Sequence, residues 1–589
     1  MKVAVIGGGP AGLATLRFLA HAHDYFPLSP IEVRLFEAEK DIGGTFSYRV
    51  YEDAELVSSK YLTAFSDFRL PEDAPDFVTP AIYVRYLKAY ATAFELWPMI
   101  ELHTQVDQIR RGPNGVGHIV SLHCKDTGKL THWACDAVAV CTGINVNPVI
   151  PEIKGVERVP SILHSSQLKT RAQFGEDTNV YIMGAGETGM DLAYLAITSK
   201  AKSIIPIPQV MGRLKADPND RPNKPVDASV ASLFDTAYVH PKLQKSQVLW
   251  TYYDRWIKRM HWLISGTEEG PDQWVGQMIL LCKSDKALPY MNVGKRSDSW
   301  VNRLRSRIIN VPIRENDGKK IDVVTWPKGI NEDGLMVFDK KLPTDSVLPD
   351  HQLKPDVMVF ATGYTREFPF LSSDYPCVAQ TNVRGIYKDG DVTLGFIGFV
   401  RPAIGAIPPL AELQAQFWVL RLLQDQFPKE VPRRISPNAL PTYDLDYQIH
   451  PRGGYSFYET KRAVDHESYA YQLALDMGAA PTATHVFKKG WKIFFTWAMG
   501  SNFNTKFHLV GPWKWERGAE EIMRNELFNV VKRSGGYVYL TTYTLVPMFI
   551  FGSLSMMLYA WFGLCDLVSG FGRRSNKKPS AGTLGEGSA

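Results

Sequence analysis

Two glycine-rich turns carry the most distinctive chemistry in this chain. Gly7-Gly8-Gly9-Pro10-Ala11-Gly12 follows the apolar run Val3-Ala4-Val5-Ile6. Gly184-Ala185-Gly186-Glu187-Thr188-Gly189 follows Val180-Tyr181-Ile182-Met183. Each reads as G-x-G-x-x-G between a strand and a helix. The first glycine permits the tight turn, and the second lets backbone approach a pyrophosphate. The third packs helix against strand. The helix N-terminus then offers free N–H groups and a positive dipole end to phosphates. Two such sites imply two dinucleotides in one chain, and so an electron relay.

The residues after each turn distinguish the two ligands. A second strand, Ile31-Glu32-Val33-Arg34-Leu35-Phe36, ends at Glu37, which can accept hydrogen bonds from ribose hydroxyls. Asp41-Ile42-Gly43-Gly44-Thr45 follows shortly after. An acid closing the strand with Gly-Gly beyond it points to FAD. The second copy has no acid there. Its next strand, Ser203-Ile204-Ile205-Pro206-Ile207, leads to Gln209, Arg213 and Lys215. Arg213 has the planar fork that suits a 2′-phosphate, so NADPH is expected rather than NADH.

Other elements must position these turns. The buried strand Ala137-Val138-Ala139-Val140 ends in Cys141-Thr142-Gly143, and Val357-Met358-Val359-Phe360 ends in Ala361-Thr362-Gly363-Tyr364. At each small-residue turn the chain can pass close to a cofactor or cross between domains. Gly143, Thr362 and Gly363 are therefore cofactor-side candidates. The expected fold is α/β, with two Rossmann-like dinucleotide-binding domains, the second inserted in the first, and a C-terminal hydrophobic helix. Residues 1–165 form the first part of the FAD domain. Residues 166–345 form the NADPH domain, with an insertion at about 216–300. Residues 346–530 complete the FAD domain, including a helix over Leu410–Leu423.

Composition bounds the function. The chain has 589 residues, 45% hydrophobic and 22% charged, with a net charge of +5. No basic run interleaved with aromatics suggests nucleic acid. The first strand begins at Lys2, so no signal peptide is expected. The six cysteines form no C-x-x-C or metal-ligand spacing, and no metal is expected. No Asn-x-Ser/Thr sequon occurs, and a reducing setting fits.

No charged residue occurs from Ser534 to Cys565. A bilayer crossing needs about 20 apolar residues, so a membrane-associated helix is expected over 535–565, either spanning or lying in one leaflet. Lys532-Arg533 precede it, and Arg573-Arg574 and Lys577-Lys578 follow. Residues 573–589 read as a disordered tail.

These features together resemble the flavin-containing monooxygenases of the dimethylaniline monooxygenase type. The resemblance spans roughly residues 1–560. It includes both glycine turns, Phe65-Ser66-Asp67-Phe68, Glu412-Leu413-Gln414-Ala415 and Gly511-Pro512-Trp513-Lys514-Trp515-Glu516. It implies that NADPH reduces FAD and that O2 adds at flavin carbon 4a. The resulting hydroperoxide passes one oxygen to an amine nitrogen or a sulfide sulfur. It also places Gln414 among the cofactor-binding residues, and implies the endoplasmic reticulum membrane with the catalytic part facing the cytosol.

Two departures from the family pattern stand out. Of the signature F-x-G-x-x-x-H-S, His164-Ser165 is present, while Arg158 and Pro160 replace Phe and Gly. The family also places an Asn by the flavin, and Val57 occupies that position before Ser58, Ser59 and Lys60. Val57, Ser58 and Ser59 are the candidate flavin-side catalytic residues. The leading expectation is N- or S-oxygenation of a small molecule. A Baeyer–Villiger enzyme and an uncoupled NADPH oxidase or non-catalytic nucleotide-binding membrane protein are the alternatives. A disulfide reductase is disfavoured, because no C-x-x-x-x-C follows the first helix.

Overall fold

The computed structural model describes residues 1–184, 186–201, 203–206, 228, 239–244, 300, 319, 321, 326–338, 353–402, 405–433, 436–448, 463–533 and 546–575. Arg213 and nearly all of the expected insertion at 216–300 lie outside them. The architecture is α/β around two parallel sheets. The first sheet orders its strands Leu394–Phe396, Ala137–Val140, Lys2–Ile6, Glu32–Phe36 and Ile100–Glu101. All four pairings are parallel, with Val3 beside both Val33 and Ala137. The second sheet orders Ser203–Pro206, Asn179–Met183, Val357–Phe360 and Ser161–His164, again all parallel. In chain order it falls between strands Ala137–Val140 and Leu394–Phe396 of the first.

The central strands read as unbroken apolar runs because both faces are covered. Val3, Ala4 and Val5 are fully buried, as are Ala137 to Val140 and Val359 to Phe360. Helix Pro10–Ala20 packs on the first sheet with Leu13, Leu16 and Phe18 inward. Against it lies helix Ile407–Gln426, buried almost all round from Pro408 to Leu423. A helix this apolar on every side belongs in a core. Pro408 and Pro409 sit in its first turn, where their missing N–H groups cost nothing. An antiparallel sheet of Thr104–Arg111, His118–Cys124 and Leu130–Cys135 covers the other face of the first sheet.

The C-terminal expectation requires correction. A helix runs from Val546 to Ser575, but no helix among the described residues is long and apolar enough to cross a membrane. The physical reason is composition and packing. The uncharged run begins before the helix does. Within the helix, Gly552, Ser553, Ser555 and Gly563 dilute the apolar residues, and Asp566, Arg573 and Arg574 follow. One face is also engaged with the protein. Phe551 and Ser555 are buried, and the Ser555 hydroxyl accepts the His240 N–H at 3.0 Å. The His240 ring meets Tyr559 and Phe562. Membrane attachment through this segment is therefore not supported. The helix also continues through 573–575, the start of the segment expected to be disordered.

Candidate functional site

The two glycine turns have the same construction. Strand Lys2–Ile6 ends at Gly7, whose φ is +107°, and a Cβ there would meet the Cys141 carbonyl oxygen at 2.8 Å. Strand Asn179–Met183 ends at Gly184, with φ +119°, where a Cβ would overlap the Ala361 carbonyl oxygen. A Cβ on Gly12 or Gly189 would overlap the carbonyl of Gly7 or Gly184, respectively. The middle glycines differ. A Cβ on Gly9 would find nothing nearer than the Gly44 Cα at 3.9 Å, and on Gly186 nothing within 4 Å. Gly9 and Gly186 are the N-caps of helices Pro10–Ala20 and Glu187–Ile197, with no side chain on the cap N–H groups. Each turn thus presents bare backbone and open room at a helix N-terminus. That is the cradle a pyrophosphate needs, and the residues present fit two dinucleotides.

Glu37 closes strand Glu32–Phe36. Its carboxylate accepts the Gly8 N–H at 2.6 Å and the Glu39 N–H at 2.9 Å. Burial pushes its pKa above the usual range, and those two bonds pull it back. The pair of bonds fixes the carboxylate against the turn. Gly43 donates to the Gly8 carbonyl at 2.9 Å, which brings Gly44 within contact of Gly9.

A cavity of about 530 Å³ opens from the first turn. Gly7, Gly9, Pro10, Ala11, Glu37, Gly44, Thr45 and Gly143 line it, all of them singled out from the sequence. It extends past Tyr48 and Arg49 to Thr104–Asp107, Asn145–Asn147 and Thr365–Phe370, and to Gly398 and the first turn of helix Ile407–Gln426. Of these, Thr104–Asp107 open strand Thr104–Arg111, and Asn145–Asn147 and Thr365–Phe370 flank a strand pairing, and none of these segments carries a motif in the sequence. The positive φ of Gly398, +87°, is itself invisible in the sequence.

Several expected residues lie outside that lining. Gln414 is fully buried behind it. Its side-chain oxygen accepts the Gly398 N–H at 2.7 Å, and its amide nitrogen donates to the Tyr469 hydroxyl at 3.0 Å. Gln414 therefore holds the Gly398 turn rather than facing the cavity. Val57, Ser58 and Ser59 are not among the lining residues either. Ser59 is the N-cap of the short turn Lys60–Thr63, and the Lys60 ammonium donates to the carbonyls of Pro71, Glu72 and Ala74.

The two crossovers are zipped together. Asn147–Pro148 pairs antiparallel with Tyr364–Thr365, the Val149 N–H donates to the Gly363 carbonyl at 3.0 Å, and the Thr362 hydroxyl donates to the Val149 carbonyl. His164 ends its strand here, with Nε2 3.2 Å from the Gly363 carbonyl. Burial lowers its pKa. The Glu187 side chain lies outside the described residues, and Thr188 is half-buried in the first turn of its helix.

Three sequence segments without an assigned role converge beside the cavity. The Ser66 N–H donates to both Glu412 carboxyl oxygens at 3.1 Å, and Asn504 donates to one of them at 2.6 Å. The Ser66 hydroxyl lies 2.9 Å from His508 Nε2, and His508 Nδ1 donates to the Trp513 carbonyl at 2.6 Å. With its proton on Nδ1, His508 accepts through Nε2. The Ser66 hydroxyl donates to Glu412 Oε1 at 2.5 Å and lies within reach of His508 Nε2, so the two acceptors compete for one proton. Burial pushes Glu412 up to about 7, against the hydrogen bonds from Ser66 and Asn504 that favour its carboxylate. Next to it, Arg17 pairs with Asp67 at 2.9 Å, both largely buried. The network locks helix Pro10–Ala20, the segment at 65–68, and helix Ile407–Gln426 to the C-terminal region.

Comparison with known proteins agrees with this geometry. A family model described as flavin-binding monooxygenase-like matches residues 1–234 and 345–542. Monooxygenase cfoE of Aspergillus candidus is 44% identical, over 96% of this chain and 99% of its own length. Flavin-containing monooxygenase 2 of Homo sapiens is 27% identical, over 90% of this chain and 92% of its own. Among solved structures, an S-allyl-L-cysteine S-oxygenase from Allium sativum aligns with a TM-score of 0.45 at 17% identity, covering 72% of this chain and 76% of that one. With two dinucleotide cradles meeting at one zipped crossover, the chain belongs to the flavin-binding monooxygenase-like family and is a flavin-dependent monooxygenase that uses FAD and NADPH.

Proposed function

We propose that this enzyme oxygenates a soft nucleophile, an amine nitrogen or a sulfide sulfur, of a small molecule. NADPH, O2, a proton and substrate give NADP⁺, water and the oxygenated product. FAD, when bound, takes two electrons from NADPH and activates O2. The protein's part is binding, orientation and exclusion of water. In this reading Gly9 and the N-terminus of helix Pro10–Ala20 hold the FAD pyrophosphate, and Glu37 holds the ribose. Gly186 and helix Glu187–Ile197 hold NADPH. The first turn of helix Ile407–Gln426 directs its positive end toward the cavity.

The observation that carries the reading is the crossover pairing of 147–148 with 364–365, which ties the end of the flavin cavity to the second cradle. The amine is supported by relatives such as dimethylaniline monooxygenase [N-oxide-forming] 2 of Pan troglodytes, 27% identical over 90% of this chain, and the sulfide is included as a nucleophile of like softness. NADPH oxidation should be followed in the purified holoprotein with and without a panel of tertiary amines and thioethers, with hydrogen peroxide counted beside oxygenated product. Product in step with NADPH supports the proposal. Peroxide alone across the panel, or lactone formed only from ketones, would refute it.

A further inference from the structure

The flavin cavity and the second dinucleotide unit meet around Arg49. Its backbone N–H closes the short helix Thr45–Tyr48 by bonding to the Thr45 carbonyl at 2.9 Å, and its side chain lines the cavity. This segment is fastened to the loop that follows strand Ser161–His164. The Lys169 ammonium donates to the Tyr48 carbonyl at 2.8 Å, and the Glu52 N–H donates to the Lys169 carbonyl at 2.8 Å. Two cations, Arg49 and Lys169, are thereby brought side by side.

Among the described residues, no acidic partner balances them. The nearest carboxylates in sequence, Glu52 and Asp53, are both engaged by Arg171. Among the described residues, no carboxylate pairs with the Arg49 guanidinium or the Lys169 ammonium. The Arg49 charge is felt at three groups around it. Burial and then Arg49 lower Lys169, and Arg49 adds to the effects of burial at His164 and counters them at Tyr364. The hydroxyls of Ser165 and Ser166 meet Tyr364 at the same place. Adjacent like charges repel, and an arginine fork beside hydroxyl donors suits a phosphate.

The sheet shows which phosphate. Strand Ser161–His164 lies two places from strand Asn179–Met183, with Val357–Phe360 between them, and all three run parallel. Two strand spacings are about 10 Å. His164 and Gly184 therefore emerge at the same carboxyl edge, where open α/β sheets bind nucleotides. An arginine side chain placed at the flavin end of that edge can reach back toward the second glycine turn.

The geometry points to an anion site made by Arg49 with Lys169, which grips the pyrophosphate of the pyridine dinucleotide on its nicotinamide side as it crosses from the second glycine turn into the flavin cavity. This rests on the cofactor reading above. Because the pyrophosphate is common to NADP⁺ and NAD⁺, Arg49 strengthens both and does not choose between them.

The test uses the purified FAD holoprotein, titrated separately with NADP⁺ and with NAD⁺ while the flavin absorbance change is followed. Arg49→Ala should raise both dissociation constants by the same factor, about ten-fold or more, with FAD content and visible spectrum unchanged. Arg49→Lys should lose less than Arg49→Ala. Lys169→Ala, at an exposed position, should weaken both nucleotides to a smaller degree and serves if Arg49→Ala folds poorly. Unchanged constants in these variants would overturn the site. Loss for NADP⁺ alone would overturn it too, since Arg49 would then read the 2′-phosphate. A change in the KM of an acidic substrate without any change in nucleotide affinity would assign the cations to substrate and overturn it as well. Wild-type protein that holds FAD but binds neither nucleotide would instead strike the cofactor reading itself.

Discussion

Replacing Gly9 or Gly12 with alanine adds one methyl group to the same turn, yet the two variants should fail in different ways. The Gly9 methyl would sit 3.9 Å from the Gly44 Cα, an ordinary contact, and the N-cap φ of −79° suits any residue. The folded protein therefore tolerates it. What the methyl occupies is the room in front of the helix N-terminus, where a pyrophosphate must approach. Each charge-assisted hydrogen bond lost there costs about 1.5–3 kcal/mol, so two lost bonds weaken FAD by at least about 100-fold. The Gly12 methyl would overlap the Gly7 carbonyl oxygen. That neighbour is backbone and cannot rotate away. Helix and strand must separate, at about 1–3 kcal/mol or more. The assay is a pair of measurements on each variant: flavin absorbance per protein after purification, and the melting midpoint of FAD-stripped protein. Gly9→Ala should be nearly colourless with a wild-type apoprotein midpoint. Gly12→Ala should lower the apoprotein midpoint by about 1–3 °C, more if the helix is displaced further. A yellow Gly9→Ala, or a Gly12→Ala apoprotein as stable as wild type, would refute the division of roles.

The second turn should behave in parallel: Gly186→Ala loses NADP⁺ binding in an absorbance titration while FAD stays bound, and Gly189→Ala destabilises the fold. Arg213→Ala, at a residue outside the described set, should weaken NADPH about ten-fold and leave NADH nearly unchanged, and equal losses would show that Arg213 does not read the 2′-phosphate. Arg17→Met should destabilise the protein by about 3–5 kcal/mol by leaving the Asp67 carboxylate buried without its partner, and the double variant Arg17→Met, Asp67→Asn should recover much of that loss in denaturant titrations. Glu412 makes stability depend on pH. Its folded pKa, about 7, lies above its ordinary 4.5, so the folded state binds the extra proton between those values. Stability from this group is full below about pH 4.5 and falls as pH rises toward 7, on the order of 3 kcal/mol in all. The difference between wild type and Glu412→Gln in urea midpoints should follow that curve, and a difference independent of pH would show that Glu412 stays ionised.

The local parts of this enzyme were legible in the residues themselves. A G-x-G-x-x-G turn is specified by three glycines within six positions, because its constraints are backbone angles and contacts a few residues long. Glu37 could be placed from strand length, and the strands around both turns from unbroken apolar runs. Long-range positions depend on tertiary packing, which no short pattern records. Gln414 carried a family pattern but turned out to support Gly398, sixteen positions earlier in the chain, from behind the cavity. Ser66, Glu412 and His508 form one proton-sharing chain only because a buried helix brings the three segments together. The C-terminal run shows the opposite failure. Freedom from charge alone suggested a membrane helix, whereas glycine and serine content lowered its apolarity and packing against His240 occupied one of its faces. Arg49 had no local signal at all. Its place between two cofactor cradles follows from parallel strand order and the zipped crossovers, and strand order is a property of the assembled sheet rather than of any segment in it.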